Sequence, residues 1–423
     1  MKKVRLVLIS LLMFFAVTGC SNEDKNLLDK DDPTTIQVWH YYNGAQQEEF
    51  NRLVDEFNKT VGKEKGIIVE GSGQGTISDL ERNVLDSING KAGAADIPNI
   101  FAAYGDTAYQ VDKLGYAVDL NKYFSKDELS KYVDGYLEEG HFSSKDTLKI
   151  FPVAKSVELF MLNKTDWEKF ANATGASTND LNTIEGVTKV AEQYYNWTDS
   201  LTAAPNDGKA FFGRDAFANY MLVGYRQLAT DIFSKKDNKI VLNFEADIAK
   251  KLWDNYYVPY ISGYFSSSGK FRSDDIKIGN ILACVSSSSS VTYFPKEVIL
   301  NDEESHSIEL ETFACPKFKD GKDYVVQQGA GMVVLKSEEK EQQAAVEFLK
   351  WFTSDKQNIA FSNASGYLPV TKSANDLDKI TDEVEVNESV KKTLNTSLKM
   401  ISDNNMYTSC LLYTSPSPRD MRR

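Results

Sequence analysis

Strand-like and helix-like patterns alternate along the first hundred residues, and this alternation constrains the fold more than any other feature. Short apolar runs typical of strands lie at residues 35–39, 66–70 and 97–101. Two segments between them carry apolar side chains three and four residues apart, which is the spacing of one helix face. These side chains are Phe50, Leu53, Val54 and Phe57 in the first segment and Leu80, Val84, Leu85 and Ile88 in the second. A β-α-β-α-β order predicts an α/β lobe with a largely parallel sheet.

The remaining chain is long enough for a further lobe, since 423 residues correspond to about two or three domains. Residues 165–264 are predicted to be mostly helical, and strand patterns return at 280–285, 308–313 and 331–335. Residues 344–352 form another amphipathic helix. The 61 acidic residues outnumber the 48 basic ones and give a net charge of −13, which argues against binding to nucleic acid.

Polar and aromatic residues follow the first three predicted strands. These loops are residues 39–44, 71–76 and 102–106. In open α/β sheets, ligands lie at the carboxyl ends of the strands. Aromatic faces pack on the C–H faces of a sugar, while hydroxyls, amides and carboxylates bind its hydroxyl groups. The glycines of the second loop do not form a phosphate loop, because no Lys-Ser/Thr pair follows them.

The two ends of the chain are expected to lie outside the folded part. Residues 1–19 begin with basic side chains and continue as an uncharged run, which is typical of a secretory signal peptide. The run ends in Val17-Thr18-Gly19-Cys20, which resembles a bacterial lipobox and predicts a lipid on Cys20, followed by a tether over residues 20–32. An ordinary signal peptide with an incidental cysteine is the alternative.

Residues 409–423 have no helix or strand period, and they resemble a translated sequencing adaptor. On this reading the chain is truncated: the natural protein breaks off near Thr408 and its true C-terminus is missing. A natural tail rich in serine and proline is the alternative.

Four stretches, taken in order, carry a family resemblance. They are Val38-Trp39-His40 with the helix ending in Glu56-Phe57-Asn58, residues 151–164, residues 328–335 with 347–352, and residues 365–371, which read Ser-Gly-Tyr-Leu-Pro-Val-Thr. In these stretches the chain resembles the extracellular solute-binding proteins of ABC-type importers. It is most similar to their carbohydrate branch, which includes maltose-binding and glycerol-3-phosphate-binding proteins.

The resemblance implies the two-lobed α/β fold of periplasmic binding proteins, with an interlobe cleft that closes by motion at hinge crossovers. One lobe would contain residues 33–153 and 328–368, and the other residues 154–327 and 369–408. Trp39 is predicted to lie in the core and His40 to be a satisfied structural histidine, with a hydrogen bond from His40 to the ligand as the alternative. The candidate ligand contacts are Tyr41, Tyr42, Asn43, Thr76, Asp106, Lys155, Ser156, Ser288, Ser289, Gly329 and Tyr367.

These candidates differ in the chemistry that they would supply. Tyr41 and Tyr42 would stack on the ligand, and the serines of the 286–290 run would offer hydroxyls. Lys155 would suit an anionic group, whereas Gly329 would let the backbone approach closely. Tyr367 is the strongest single candidate, and we expect its ring to be partly solvated without ligand.

The resemblance implies a lipid-anchored receptor on the outer face of the cytoplasmic membrane. It would bind a sugar, oligosaccharide or polyol phosphate as a monomer and deliver it to an ABC-type permease. No cofactor, metal or catalytic activity is expected, since no G-x-S-x-G, P-loop or H-E-x-x-H motif occurs. A glycoside-acting enzyme and a chemosensory or adhesive lipoprotein are the alternatives. Cys284 and Cys315 could form a disulfide or remain two thiols.

Overall fold

A computed structural model describes residues 27–228, 230–236, 239–376, 378–380 and 388–408. The predicted signal peptide, Cys20, most of the tether and residues 409–423 lie outside the described residues. Among the residues that are described, no helix is both long enough and apolar enough to span a membrane.

Strands and helices alternate along the first half of the chain, which begins in one sheet and continues into a second sheet from β4 onward. The strands are β1 (Thr34–His40), β2 (Ile67–Gly73), β3 (Ile100–Ala103), β4 (Ser156–Asn163) and β5 (Phe212–Arg214). The helices are α1 (Gly44–Lys59), α2 (Val61–Lys65), α3 (Ile77–Ile88), α4 (Gly105–Lys113), α5 (Lys126–Leu129), α6 (Asp134–Glu138), α7 (Lys164–Thr174) and α8 (Ile184–Asp199). Short 3-10 turns cover Leu120–Lys122, Glu139–His141 and Thr178–Asn182.

The second half is mixed in the same way. Its helices are α9 (Phe217–Gln227), α10 (Ala246–Asp254), α11 (Tyr257–Ile261), α12 (Arg272–Lys277), α13 (Glu339–Phe352), α14 (Asp355–Ser365) and α15 (Glu388–Asp403), with a 3-10 helix at Ser288–Tyr293. Its strands are β6 (Phe233–Lys236), β7 (Lys239–Leu242), β8 (Ala283–Ser287), β9 (Glu297–Ile299), β10 (Ser305–Ser307), β11 (Leu310–Ala314), β12 (Tyr324–Gln328), β13 (Gly331–Val334) and β14 (Asn405–Tyr407).

The fold has two lobes, each built around its own sheet. The first sheet has the order β13-β3-β1-β2, in which β1 runs parallel to β2 and β3 while β13 is antiparallel. The second sheet has the order β14-β12-β4-β8-β5, and β11 also pairs with β4. The predicted parallel sheet is therefore found in the first lobe, whereas most pairs of the second sheet are antiparallel.

Each of the two lobes is stabilised by its own apolar core. One cluster packs α1 and α13 against the first sheet through residues such as Phe50, Phe101 and Phe348. Other clusters cover the two faces of the second sheet, where Met161 and Phe160 point to opposite sides. Each lobe therefore has an apolar core of its own. Burial of apolar surface in such a core stabilises the folded lobe by about 25 cal/mol per Å².

Three chain crossovers lie side by side where the lobes join. The first runs through residues 151–156, the second through residues 327–332 and the third through residues 366–371. Phe151 pairs with Met332, and Lys155 exchanges two backbone hydrogen bonds with Leu368, at 3.1 and 2.6 Å. The crossovers therefore form a small irregular sheet beside the cleft.

Candidate ligand site between the lobes

Tyrosines from three separate segments meet at the carboxyl edge of the first sheet. Tyr41 and Tyr42 follow β1, Tyr104 follows β3, and Tyr367 lies in the third crossover. The hydroxyl oxygens of Tyr41 and Tyr367 are 3.4 Å apart. The ring of Tyr42 packs at 5.2 Å from that of Phe361, which also stacks on Tyr367. These four tyrosines form what we call the tyrosine cluster.

Burial keeps the phenols of this cluster neutral. Desolvation raises the pKa values of Tyr41, Tyr42 and Tyr367 well above the ordinary value, and the neighbouring phenols raise them further. Hydrogen bonds from Tyr41 and Ser289 oppose this rise in the pKa of Tyr367 only in part. Neutral phenols both donate and accept hydrogen bonds, so the cluster presents ring faces together with polar hydroxyls.

Tyr367 is more buried than the sequence suggested. Its side chain is 6% exposed, because it stacks on Phe361 and contacts Tyr41. The expectation of a partly solvated ring is therefore wrong for this structure. Trp39 and His40 are both buried, and the Nδ1 atom of His40 accepts a hydrogen bond from the backbone N–H of Tyr42. The Nε2 atom of His40 is buried without a hydrogen-bond partner among the described residues, so the histidine is not fully satisfied.

A serine-rich loop from the second lobe faces the tyrosine cluster. It follows β8, and its 3-10 helix begins where the Ser287 hydroxyl accepts the Ser289 N–H. The Ser286 hydroxyl donates to the Asp215 carboxylate at 2.5 Å and lies 2.7 Å from the Ser290 hydroxyl, from which it can accept, and these contacts fix the start of the loop. The Ser288 hydroxyl is fully buried and has no hydrogen-bond partner among the described residues.

The two lobes touch across the cleft in this structure. The Tyr293 hydroxyl, at the end of the serine loop, lies 3.1 Å from the side-chain oxygen of Asn43 and 3.3 Å from its carbonyl. Gly366 has a φ of +69°, and a Cβ there would lie 2.9 Å from Val291 and 3.1 Å from Ser289. The serine loop therefore rests on both the first sheet's edge and the third crossover.

Lys155, Ser156 and Gly329 lie in the crossovers rather than on an open surface. Lys155 is 1% exposed, and its ammonium forms an ion pair with the buried carboxylate of Glu139. The same ammonium donates to the Gly329 carbonyl at 2.9 Å. Ser156 is also buried and pairs in register with Gln328. The charge of Lys155 is thus already compensated within the protein.

Gly329 is a position that only glycine fits. Its φ is +92°, and a Cβ built there would lie 2.5 Å from the carbonyl oxygen of Ala154. A side chain would therefore collide with the backbone of the first crossover. In this structure the backbone that approaches Gly329 closely belongs to the neighbouring crossover, and contact between this glycine and a ligand stays a prediction.

Thr76 and Asp106 begin helices at the same edge of the first sheet. Thr76 is the N-cap of α3 and exchanges hydrogen bonds with Asp79 in a capping box. Asp106 lies in the first turn of α4, where its side chain accepts the N–H of Thr107 at 3.0 Å. An acidic group in a first helical turn is stabilised by the helix dipole. These contacts give both residues structural roles at the starts of their helices, and Asp106 lies two residues after Tyr104 of the tyrosine cluster.

Several residues of the site were missed by sequence reasoning. Tyr104 lies in a loop that the strand pattern had marked, but it was not singled out. Tyr293 comes three residues after the serine run and needed the 3-10 helix to place it. Asp215 follows β5, which has only three residues and lies within a segment predicted to be helical. A strand so short carries no recognisable period.

Charged side chains near the second lobe's edge are paired with one another. The Arg214 guanidinium donates to Glu158 at 2.8 Å, and Asn219 donates to the other oxygen of that carboxylate at 3.0 Å. Arg272 binds Asp275 at 2.5 Å. Cys284 and Cys315 are free thiols, and burial raises the pKa of Cys315 to about 11. Within the described residues, no group of three His, Cys, Asp or Glu side chains could hold a metal ion.

The sequence was compared with the profiles of known protein families. The sequence profile described as bacterial extracellular solute-binding protein matches residues 52–388, which is most of the chain. The chain belongs to this family. The tyrosine cluster and the serine loop of this solute-binding protein remain its candidate ligand site. No curated protein sequence matches the chain.

Solved structures share the fold over nearly the whole length. The cyclic α-maltosyl-1,6-maltose binding protein of Arthrobacter globiformis is 19% identical, with a TM-score of 0.68 and 90% of each chain covered. UgpB of Mycobacterium tuberculosis, in complex with glycerophosphocholine, is 15% identical, with a TM-score of 0.69 over 88% of this chain and 87% of its own. The protein Lmo0181 of Listeria monocytogenes, in complex with cycloalternan, is 16% identical, with a TM-score of 0.67 over 89% and 88%. At these identities the likeness establishes the two-lobed fold.

Proposed function

We propose that this solute-binding protein is an extracellular receptor that binds a sugar or polyol between its lobes and delivers it to an ABC-type permease. The observation that carries the proposal is the tyrosine cluster facing the serine loop across the cleft. Ring faces and neutral hydroxyls are the groups that a polyhydroxylated ligand requires. The structural relatives support the same ligand class, because two are named for or solved with oligosaccharides and one with glycerophosphocholine.

Closure around the ligand would follow from the crossovers. We assign residues 33–153 and 328–368 to one lobe and residues 154–327 and 369–408 to the other. At the first two crossovers the apolar clusters support this assignment to within one residue, since Ala330 packs with the first core while Val157 and Val325 pack with the second, and Ala154, the first residue assigned to the second lobe, still packs with the first core. Rotation at the crossovers would separate Tyr293 from Asn43 and open the cleft.

The candidate contacts divide into three groups. Tyr41, Tyr42 and Tyr367 would provide ring faces, and Ser288, Ser289 and Asn43 would provide hydrogen bonds from the opposite side. Thr76 and Asp106 would reach the ligand only if it extends along the edge of the first sheet. Lys155, Ser156 and Gly329 would support the hinge through their contacts between crossovers.

The anchor is a separate part of the proposal. The lipobox-like sequence before Cys20 supports cleavage there and attachment of the new N-terminus to the membrane by a lipid. The receptor would then act on the outer face of the cytoplasmic membrane, close to its permease.

A thermal-shift screen over mono- to tetrasaccharides and polyols tests the receptor function. A ligand at 100 times its Kd should stabilise the folded state by about 2.7 kcal/mol. Calorimetric titration should then give one site per chain, and small-angle scattering should show a more compact protein with ligand. Incubation with each binding oligosaccharide should leave it intact. Turnover of the sugar would overturn the receptor assignment in favour of an enzyme.

A further inference from the structure

The serine run of the second lobe begins beside one carboxylate. Asp215 directly follows β5, which runs parallel to β8, and the register that pairs Arg214 with Val285 places Asp215 next to Ser286. The backbone N–H of Asp215 donates to the Val285 carbonyl at 3.1 Å. Its carboxylate accepts the Ser286 hydroxyl at 2.5 Å. One acidic residue is therefore bonded to the strand exactly where the serines start.

A buried cation holds this carboxylate from the other side. The backbone N–H of Arg272 donates to Asp215 at 2.9 Å, and the Arg272 Nε atom lies 3.7 Å from the same carboxylate oxygen. The Arg272 side chain is 1% exposed and pairs with Asp275 at 2.5 Å. Its guanidinium also donates to the carbonyls of Ser266 and Gly269, at 3.3 and 2.6 Å. Because these contacts fix Arg272, it provides a rigid support for Asp215.

From Asp215 the polar contacts continue through the serine run to the first lobe. The Ser286 hydroxyl lies 2.7 Å from the Ser290 hydroxyl. The Ser289 side chain forms a hydrogen bond with the Tyr367 hydroxyl, which belongs to the tyrosine cluster. A chain of polar contacts therefore leads from Arg272, through Asp215 and the serines, to the other side of the candidate ligand site.

Serine side chains bury little apolar surface, so a run of five of them depends on hydrogen bonds for a fixed conformation. We propose that Asp215 is a positioning residue, which orders the serine run for the ligand without contacting the ligand itself. Both of its carboxylate oxygens already accept a hydrogen bond inside the protein. A run that is ordered in advance spares the ligand the entropic cost of ordering it. The proposal rests on the proposed receptor function and adds the residue that prepares one side of its site.

Hydrogen exchange followed by mass spectrometry tests this positioning without a ligand. Asp215→Ala removes the carboxylate. Ser286→Ala removes the same hydrogen bond from the opposite side and leaves the bond between Asp215 and Arg272 in place. We expect the amides of residues 286–293 to exchange about tenfold faster in both variants, the effect of losing one hydrogen bond to a charged group. Unchanged exchange in both variants would overturn the proposal.

Asp207→Ala is the matched control. The Asp207 carboxylate accepts the hydroxyl of Thr202 at 2.6 Å, which is the same kind of bond, but Asp207 lies before β5 whereas Asp215 lies after it. This control should change neither the exchange of residues 286–293 nor the affinity for ligand. Equally fast exchange there in Asp207→Ala would show that the serine run responds to any lost contact in the lobe, and would overturn the specific role of Asp215.

Calorimetric titration separates positioning from direct contact. The probes are maltotriose and glycerophosphocholine, together with the mono- to tetrasaccharides and polyols of the thermal-shift screen. Asp215→Ala and Ser286→Ala should each raise the Kd about tenfold, and the double variant should be weaker than either by less than about threefold, because both changes remove one bond. Asp215→Asn should bind within about threefold of wild type, since its amide can accept from Arg272 and donate to Ser286. A double variant about a hundredfold weaker than wild type would show that Asp215 contacts the ligand itself, and would overturn the proposal.

The receptor function and the role of Asp215 fail in different ways. A wild-type chain that binds none of these compounds would overturn the receptor function, while hydrogen exchange would still report whether Asp215 orders the serine run. A wild-type chain that binds a probe with a Kd unaltered by Asp215→Ala would overturn the positioning role and leave the receptor function standing.

Discussion

Replacing Gly329 by alanine tests whether the close approach of two crossovers holds the lobes in register. The φ of +92° at this residue is rarely adopted by an L-amino acid. The added Cβ would lie 2.5 Å from the carbonyl oxygen of Ala154 and 2.9 Å from the Cα of Lys155. Both of these are backbone atoms, so no side-chain rotation can relieve the overlap.

The magnitude follows from two separate terms. A left-handed backbone costs an alanine about 1–2 kcal/mol relative to glycine. Overlap with fixed neighbours adds about 1–3 kcal/mol, as it does for other overpacked positions. We therefore expect Gly329→Ala to lower the free energy of unfolding by about 2–5 kcal/mol.

Gly115→Ala is the matched control, because its φ is +82° and a Cβ there meets nothing within 4 Å. It should cost only the backbone term of about 1–2 kcal/mol. Both substitutions restrict the unfolded chain equally, so that contribution cancels between them. The assay is urea unfolding followed by tryptophan fluorescence and circular dichroism. Equal costs within about 0.5 kcal/mol, the usual spread for surface changes, would refute the packing at the crossover.

Three further predictions concern the cleft, the acid stability and the anchor. Tyr293→Phe removes the hydrogen bond to Asn43, worth about 0.5–1.5 kcal/mol, and should shift the unliganded lobes toward an open state. Fluorescence energy transfer between the lobes measures this, and an unchanged distance distribution would contradict it. Burial lowers the pKa of His40 to about 4. Because the unfolded state takes up this proton near pH 6.5, stability should fall by about 3 kcal/mol as the pH drops from 6.5 to 4. His40→Asn should flatten that slope, and an unaltered pH profile of urea unfolding would count against it. Cys20→Ala should release the protein from membranes in a fractionation, and a mutant that stays bound would exclude lipid at Cys20.

The first lobe could be predicted because its elements carry strong local periods. The helix face of Phe50, Leu53, Val54 and Phe57 is buried in α1 as its spacing predicted. In the second lobe the signals are weaker, since β5 has three residues and the β6–β7 hairpin lies within a segment predicted to be helical. The position of β5 depends on its pairing with the distant strand β8, which no local pattern records.

The candidate site was predicted in the same uneven way. Tyr41, Tyr42 and Tyr367 were chosen from loop position and from the family resemblance, and the structure brings them together. Tyr293 meets Asn43 from 250 residues away, so their contact exists only once both lobes are folded. Such contacts between lobes are invisible to periodicity, and they are also the ones that change when the cleft opens.

Lys155 shows how a charge at a binding cleft can serve the hinge instead of the ligand. Its side chain joins Glu139 and the Gly329 carbonyl, while its backbone pairs with Leu368, so one residue contacts all of the crossovers. Removing one partner from a buried ion pair lowers stability by about 3–5 kcal/mol, because the remaining charge is buried without compensation. A shift of one crossover relative to the others would separate Lys155 from Glu139 and would lower stability for the same reason. An apolar residue of similar size would tolerate several registers. We therefore expect the lysine to specify where the lobes hinge, while recognition of the ligand falls to the neutral tyrosines and serines.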